Sequence, residues 1–437
     1  MISRISYLSN PLRVAVSKRH LWQSRSISSS SNGASYDIFH EHSLTQDQLD
    51  LRDQVHLFLK RELPLDVAAK IDKEDSYPGF RELWKKLGAI GLHGITVPKE
   101  FGGLGLGFLE HCLAIEAISQ HSSAIALSYG AHSNLSINQI VLNGNEKQKA
   151  KYLPKMIDGS HIGSLAMSEP NSGSDVTSMR TSAEKKGDYY VLNGSKFWIT
   201  NGPIADVVIV YAKTNQKDIT AFLVDTRTEG FSVGKKLVKM GMRGSPTGEL
   251  IFDDCKVHES NILGGLNCGV YVLMSGLDYE RLVLAAGPLG IMQRACDLAY
   301  DYAHQRRQFN QPIGHFQLVQ GIMADMFTET FFCRTTLYTL ARNLDDHLAK
   351  KKVEGSGHAS KGTSEFTAKC AAIILRLAEA GQQVADQALQ ILGGNGYTED
   401  YEASRLLRDA RLYRIGAGTS EIRRWLIGRE INKVYGS

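Results

Sequence analysis

The hydrophobic period of this chain changes twice, and that change limits its fold more than any other feature. From about 45 to 160 apolar residues recur at helical spacing. Thr45 with Gln48 three positions on has the form of a capping box, and Leu51, Val55, Phe58 and Leu59 follow on one helical face. A glycine-rich break at Gly102–Gly107 interrupts the pattern, which resumes from Phe108. From about 163 to 262 the period is that of strands. Tyr189 to Leu192 leads into Asn193-Gly194, a hairpin turn signal, and Lys196–Thr200, Val207–Tyr211, Ala221–Val224, Phe231–Val238 and Glu249–Phe252 follow. From about 268 the helical period returns in long segments, 268–304, 316–350, 365–392 and 420–434. Lys350 to Glu365 is polar, carries Gly355, Gly357 and Gly362, and reads as a flexible surface loop.

The strands do not alternate with helices, so a doubly wound nucleotide fold is not expected. The expected class is mainly α with a β-domain. It comprises an N-terminal helical domain (37–162), a middle β-sandwich or barrel (163–265) and a C-terminal four-helix bundle (266–437). No stretch reaches the roughly 18–20 uninterrupted apolar residues of a membrane span.

Residues 1–36 stand apart. They hold Arg4, Arg13, Lys18, Arg19 and Arg25, no acidic residue, and a serine cluster at Ser26 and Ser28 to Ser31. This is the composition of a mitochondrial or plastid transit peptide, and it has no apolar core of signal-peptide length. Without those five charges the net charge falls from +4 to −1, which argues against a nucleic-acid partner. The six cysteines, Cys112, Cys255, Cys268, Cys296, Cys333 and Cys370, include no C-x-x-C pair. Their spacing suits neither a metal site nor a disulfide framework, and small core residues are expected.

Four segments are candidates for chemistry. Gly102-Gly103-Leu104-Gly105-Leu106-Gly107 is one residue short of the dinucleotide fingerprint and follows no buried strand, so it reads as a tight loop. Ser168 to Asp175 is a run of hydroxyl, amide and glycine residues able to present many donors to a polar ligand, or to form a plain surface loop. Side chains on a strand repeat every two residues, which places Trp198 and Thr200 on one face. There an indole beside a hydroxyl either floors a planar heterocycle or joins the core. Finally, Glu280 has Gly276, Leu277, Val283 and Leu284 as helical neighbours, with Leu273 and Gly287 extending the stripe. A carboxylate so placed either turns to water or an arginine, or is buried with its pKa raised into the range of a general base.

These segments resemble the acyl-CoA dehydrogenase family over about residues 40–435. The resemblance rests on Ala166 to Pro170 with Gly173-Ser174-Asp175, Phe197 to Gly202, Arg408-Asp409-Ala410 and Gly418 to Glu421. Further matching runs are Tyr129 to Leu135, Met274 to Asp278 and Ile415 to Glu421. It implies non-covalently bound FAD. Leu165, Ala166, Met167, Ser168, Glu169, Pro170, Asn171, Ser172, Gly173 and Ser174 would line the flavin with Trp198, Ile199 and Thr200. Arg306, Gln317 and Gln390, Ile391, Leu392, Gly393 and Gly394 would reach the FAD of a neighbouring subunit, so a homotetramer is implied. Thr419, Ser420 and Glu421 would complete the site.

The same resemblance assigns acyl-CoA contacts to Ser174, Tyr271, Asp278, Tyr279, Glu280, Arg281, Ala417 and Gly418. A plain ion pair between Asp278 and Arg281 stays open. Many members carry the catalytic base just before the final Gly-Thr-Ser, where this chain has Ala417. The base implied here is Glu280, the residue that the stripe selects, with its own N–H helping to hold the enolate oxygen. Gly416-Ala417 would free volume for a branch at the β-carbon. The implied reaction is dehydrogenation of isovaleryl-CoA to 3-methylcrotonyl-CoA in leucine catabolism, in the mitochondrial matrix, with electrons passed to electron-transferring flavoprotein. Another short or branched acyl-CoA, an oxidase, or a scaffold without chemistry are the competing expectations. Trp425, where the family has a smaller aliphatic residue, is expected in the core.

Overall fold

The computed structural model describes residues 44–353 and 365–436. The transit-like segment 1–36 and most of the Lys350–Glu365 loop lie outside the described residues. The N-terminal part opens with α1 (Gln46–Glu62), whose capping box forms as the sequence predicts. The Gln48 amide donates to Thr45 Oγ1 at 3.3 Å, and the Thr45 amide to Gln48 Oε1 at 3.0 Å. Its buried face is Val55, Phe58 and Leu59. The short helices α2 (Leu65–Glu74) and α3 (Phe80–Ala89) precede α4 (Phe108–His121), which is buried on nearly every side. Gly102 to Gly107 forms the expected tight loop. A Cβ on Gly103 would lie 2.1 Å from the Val97 carbonyl oxygen, so the chain approaches itself there as only glycine allows. Helix α5 (Ser123–Gly130) runs into a π-helical segment, Ala131–Asn138, then α6 (Gln139–Asn143) and α7 (Glu146–Ile157).

The middle part has eight strands: β1 (Gly163–Ala166), β2 (Ser182–Lys186), β3 (Tyr189–Thr200), β4 (Val207–Lys213), β5 (Ile219–Asp225), β6 (Phe231–Lys236), β7 (Thr247–His258) and β8 (Ile262–Leu263). They form one sheet in the order β6-β7-β3-β2-β4-β5-β8, with β1 paired to β4 in parallel. One face builds its own core from Ala183, Leu192, Val208, Phe222 and Leu250. Phe231 from one edge strand and Ile262 from the other both pack on that core, so the sheet curls round it. The opposite face packs Ile209, Tyr211 and Leu223 against Ile137, Ile140, Leu273 and Leu277 of the helical parts.

The expected hairpin at Asn193-Gly194 is corrected. β3 runs straight through these residues, pairing with β2 on one side and β7 on the other. Gly194, at φ +142°, marks a bulge in the β3–β7 register, and Asn193 Nδ2 donates to Asp254 Oδ1 at 3.0 Å. The turn falls instead at Gly187, in the left-handed region at φ +61°. The signal is that of a position needing unusual backbone, and a bulge meets it as well as a turn.

The C-terminal part consists of α8 (Gly269–Leu284), α9 (Ala286–Gln305), α10 (Gln317–Val353), α11 (Thr367–Leu392), α12 (Ala403–Ala410) and α13 (Ser420–Tyr435). A small hairpin, β9 (Arg307–Gln308) and β10 (Gln311–Pro312), joins α9 to α10. Helix α10 carries on to Val353, past the predicted start of the polar loop. Among the described residues, Gly269–Gln305 alone is long and apolar enough to cross a membrane, and it is mostly buried here as a core helix pair. Cys112, Cys255, Cys296, Cys333 and Cys370 are buried and unpaired, and Cys268 is half-buried. Trp425 is a second correction. It is 61% exposed, with the Arg429 guanidinium 5.2 Å above its ring, because α13 buries Ser420, Arg423 and Leu426 and turns Trp425 outward.

Candidate active site

The two segments that the sequence offers to a polar ligand, Ser168–Asp175 and Trp198–Thr200, meet beside β1 and β3. The Phe197 amide donates to the Ser168 carbonyl at 2.9 Å, and Lys196 Nζ donates to the Met167 carbonyl at 3.0 Å. Lys196 also lies 2.8 Å from Glu169 Oε1, with none of its side chain exposed. Glu169 further accepts from the Arg180 amide (2.6 Å), the Thr181 amide (2.9 Å) and Thr181 Oγ1 (2.6 Å). Burial pushes its carboxyl up, but the Lys196 and Thr181 donors outweigh that and hold its pKa below the ordinary value. The Glu169 carboxylate is therefore fully used inside the protein, leaving its main chain for a ligand. Glu169 and Ser172 exchange both main-chain bonds and close a turn over Pro170 and Asn171. Pro170, Asn171, Gly173 and Ser174 are exposed, and Leu165, Met167 and Ser168 half-buried. Ala166 and Ile199 are buried in the sheet core.

Simple two-residue alternation does not account for Trp198. The β3–β7 register shifts between Lys196 and Ile199, and Trp198 sits in that bulge at φ +60°. The bulge turns its indole out to 53% exposure, so the core alternative fails for this residue. Thr200 is half-buried, and its carbonyl accepts from Ser164 Oγ at 2.6 Å.

Glu280 lies inside α8, on the stripe that the sequence predicts. It is 7% exposed, and its Oε2 has no hydrogen-bond partner. Burial raises its pKa to about 7, and the charges of Arg281 and Arg423 act against that rise. Tyr211 Oη on β4 is also buried without a partner, and the Glu280 charge adds to the effect of burial in pushing that phenol up. Gly276, one turn before Glu280, makes room for Gln139. A Cβ there would lie 2.1 Å from Gln139 Nε2. The neighbours of Glu280 face elsewhere. Tyr279 is buried and stacks on Phe108 with centroids 4.7 Å apart, while Asp278 pairs with Arg281 at 2.8 Å and accepts from Thr367 Oγ1 at 2.6 Å. Tyr271, two turns earlier, is 71% exposed. The expected role of the Glu280 N–H is corrected. Inside a helix each N–H bonds the carbonyl four residues back, so that amide is not available to a ligand.

The segment before α13 holds Ala417 at φ +55° and Gly418 at φ +91°. Thr419 caps the helix, accepting from the Ile422 amide at 3.3 Å, and Ser420 is buried with an unpartnered Oγ. The exposed Glu421 stands in the first turn, where its own amide and the Thr419 hydroxyl hold its carboxyl below the usual range. The remaining predicted residues form a separate group. Arg306 and Gln317 are exposed at the ends of α9 and α10, and Gln317 lines an open groove of about 720 Å³ with Phe309, Phe316 and Leu318. Gln390, Gly393 and Gly394 are exposed, whereas Ile391 and Leu392 are buried. Asn395 Nδ2 donates to Tyr302 Oη at 2.9 Å and ties this turn to the end of α9. Among the described residues, no hydrogen bond or ion pair joins this group to Trp198, Thr200 or Glu280.

Three family models match in sequence order: the acyl-CoA dehydrogenase N-terminal domain over 45–160, the middle domain over 164–255 and the C-terminal domain over 267–432. The chain belongs to the acyl-CoA dehydrogenase family. Its activity is that of an acyl-CoA dehydrogenase, an oxidoreductase. It is similar to the mitochondrial isovaleryl-CoA dehydrogenase of Pongo abelii, at 56% identity over 89% of each chain. It is also similar to the mitochondrial 2-methylacyl-CoA dehydrogenase of Solanum tuberosum, at 51% identity over 89% of this chain and 92% of that one. An acyl-CoA dehydrogenase complexed with FAD from Bacillus anthracis superposes with a TM-score of 0.86 at 31% identity, covering 93% of this chain and 72% of the other.

Within this acyl-CoA dehydrogenase fold, sequence reasoning passed over Arg423, Tyr211 and Gln139. Arg423 was open to the stripe argument that found Glu280, since Ser420 and Leu426, three residues to either side, are both buried. Tyr211 and Gln139 carried no local signal, because their proximity to α8 is set by tertiary packing.

Proposed function

We propose that the chain is an FAD-dependent dehydrogenase of short branched acyl-CoA, with isovaleryl-CoA as substrate and 3-methylcrotonyl-CoA as product. The observation that carries the reading is Glu280, a buried carboxylate with a free Oε2 and a pKa of about 7, while Ala417 stands where many relatives place the base. A base poised near neutrality takes a weakly acidic α-proton without remaining permanently protonated. Glu280 receives that proton on Oε2. Ala417, outside any helix and with its amide unbonded among the described residues, is the donor that remains for the enolate oxygen.

The residues fit FAD. The bulge presents an exposed indole next to Phe197, whose amide bonds the Ser168 carbonyl, and a Cβ built on Gly173, Gly393 or Gly394 would meet no heavy atom within 4 Å. Leu165 to Ser174, Trp198 to Thr200 and Thr419 to Glu421 hold the flavin, with Arg306, Gln317 and Gln390 to Gly394 serving the FAD of an adjacent subunit in a homotetramer. The chemistry FAD supplies when bound is acceptance of the β-hydride. Of the residues expected to meet the acyl-CoA, Ser174, Tyr271, Ala417 and Gly418 remain as contacts, whereas Tyr279, stacked on Phe108, and the Asp278–Arg281 pair brace the helix that carries Glu280. Exposed Phe309 (89%) and Leu318 (87%) beside Gln317 support a covering subunit. Residues 1–36 are a transit peptide, the enzyme works in the mitochondrial matrix on leucine-derived substrate, and its electrons leave to electron-transferring flavoprotein. The domains divide at 37–162, 163–265 and 266–437.

Anaerobic titration with a panel of acyl-CoAs, following the flavin band beside Glu280→Gln, tests the reading. Bleaching strongest with isovaleryl-CoA and lost in the variant is expected. Preferential bleaching by a 2-methyl or straight-chain thioester overturns the substrate, and no flavin band after adding FAD overturns the enzyme.

A further inference from the structure

Arg423 is 1% exposed, yet among the described residues its hydrogen bonds go to carbonyls and to no carboxylate. Its Nη1 donates to the Tyr413 carbonyl and its Nη2 to the Gly416 carbonyl, each at 2.7 Å, and its Nε has no partner. A charge taken so far from water persists only where strong acceptors replace its hydration. Here the acceptors are two main-chain carbonyls at either end of one short turn. That turn leads into Ala417 and Gly418, both left-handed, a conformation that a side-chain-bearing residue does not hold unaided.

The same guanidinium acts on Glu280, each charge favouring the ionised form of the other. Arg281, the other cation acting on Glu280, is engaged by Asp278 on its own helix. From β4 the base is faced by the Tyr211 hydroxyl. On α11, Glu379 is taken by Arg424 at 2.7 and 2.8 Å rather than by Arg423.

Resting on the proposed dehydrogenase reading, we infer that Arg423 is a positioning residue. Its guanidinium bridges the Tyr413 and Gly416 carbonyls, and it thereby fixes the Gly416–Ala417 wall of the acyl pocket and sets the preference between branched and straight chains. Bridging is a property of the planar fork, because a guanidinium serves two divergent acceptors whereas an ammonium is a point donor on a flexible stem. Charge is common to both. The two functions of Arg423 therefore separate in its variants.

The test uses the full-length holoenzyme and the variants R423K and R423Q. Flavin content, kcat and KM are measured for isovaleryl-CoA and butyryl-CoA from pH 5 to 9. R423K is expected to change the branched-to-straight ratio of kcat/KM about tenfold while keeping the pH midpoint. R423Q is expected to change the ratio equally and to move the midpoint upward. Unchanged ratios in R423K overturn the inference, and R423K alone decides it if R423Q does not fold. A wild-type enzyme that prefers butyryl-CoA defeats the substrate reading but not this one, which is read from the change in ratio.

Discussion

Lys196 Nζ sits 2.8 Å from Glu169 Oε1 and 3.0 Å from the Met167 carbonyl, so one buried ammonium ties the β3 strand to the residues on either side of Ser168. Replacing a buried ion pair as a whole is often nearly neutral, but removing one partner strands the other charge, at a cost of about 3–5 kcal/mol. K196M is therefore expected to lose stability toward the lower end of that range in denaturant unfolding, because Glu169 loses its counter-charge but keeps the Arg180 and Thr181 donors. A K196M midpoint equal to wild type would mean that the pair is not closed in the folded protein.

Glu280 makes opposite demands on activity and stability. Its folded pKa of about 7 lies above the ordinary carboxylate value of 4.5, so the native state holds a proton that the unfolded state has released between those limits. Stability is thus fully present below about pH 4.5 and declines as pH rises through 7, by roughly 3 kcal/mol at about 1.4 kcal/mol per unit. Activity runs the other way, because only the ionised base accepts a proton. The expected profile is kcat/KM rising through about pH 7. E280Q should be inactive, and its melting temperature should exceed that of wild type at pH 8 by more than at pH 5. Equal differences at the two pH values would show that Glu280 is not buried as described.

The N-terminal core contains histidines that work in the reverse sense. His132 Nδ1 accepts the Gly163 amide at 2.8 Å, which pins the start of β1, and its Nε2 donates to the Met156 carbonyl at 2.9 Å. Burial lowers its pKa to about 4, and that of His111 to about 3. Below the unfolded value of 6.5 the unfolded chain takes up protons that the native core refuses. Stability is lost as pH falls from 6.5 toward 4, by roughly 2 kcal/mol per such histidine at pH 5. Urea midpoints at pH 7 and pH 5 read this directly. H111Q should shrink the difference between them, and an unchanged difference would refute the assignment.

What the sequence made legible was whatever repeats locally. The Thr45 capping box, the Val55–Phe58–Leu59 face and the stripe around Glu280 are fixed by spacing within one helix, and the structure reproduces them. Asn193-Gly194 misled because glycine reports an unusual φ without saying whether the chain reverses or bulges. Trp425 misled because hydrophobicity alone does not say which face of α13 is covered. The Arg423 bridge and the approach of Gln139 to Gly276 depend on segments more than a hundred residues apart or on a turn of irregular φ, and no local period encodes them.

Gly416 and Gly418 stand two residues apart and should respond differently to the same change. A Cβ on Gly416 would find its nearest neighbour, the Leu412 carbonyl oxygen, at 3.7 Å, and the backbone there is ordinary. Gly418 has equal room, with Ile422 Cγ2 at 3.6 Å, but its φ of +91° disfavours any side chain. G418A should therefore cost roughly 1–2 kcal/mol of stability from the left-handed backbone alone. G416V should unfold within about 0.5 kcal/mol of wild type, because it fills open space rather than straining the chain. That filled space is where the β-branch of the substrate is placed. G416V should lower kcat/KM for isovaleryl-CoA relative to butyryl-CoA by about 10–200-fold, the usual discrimination for one methyl-sized group in an apolar pocket. A stable G416V with the wild-type substrate ratio would remove Gly416 from the pocket, and the volume for the branch would then have to come from the α8 side.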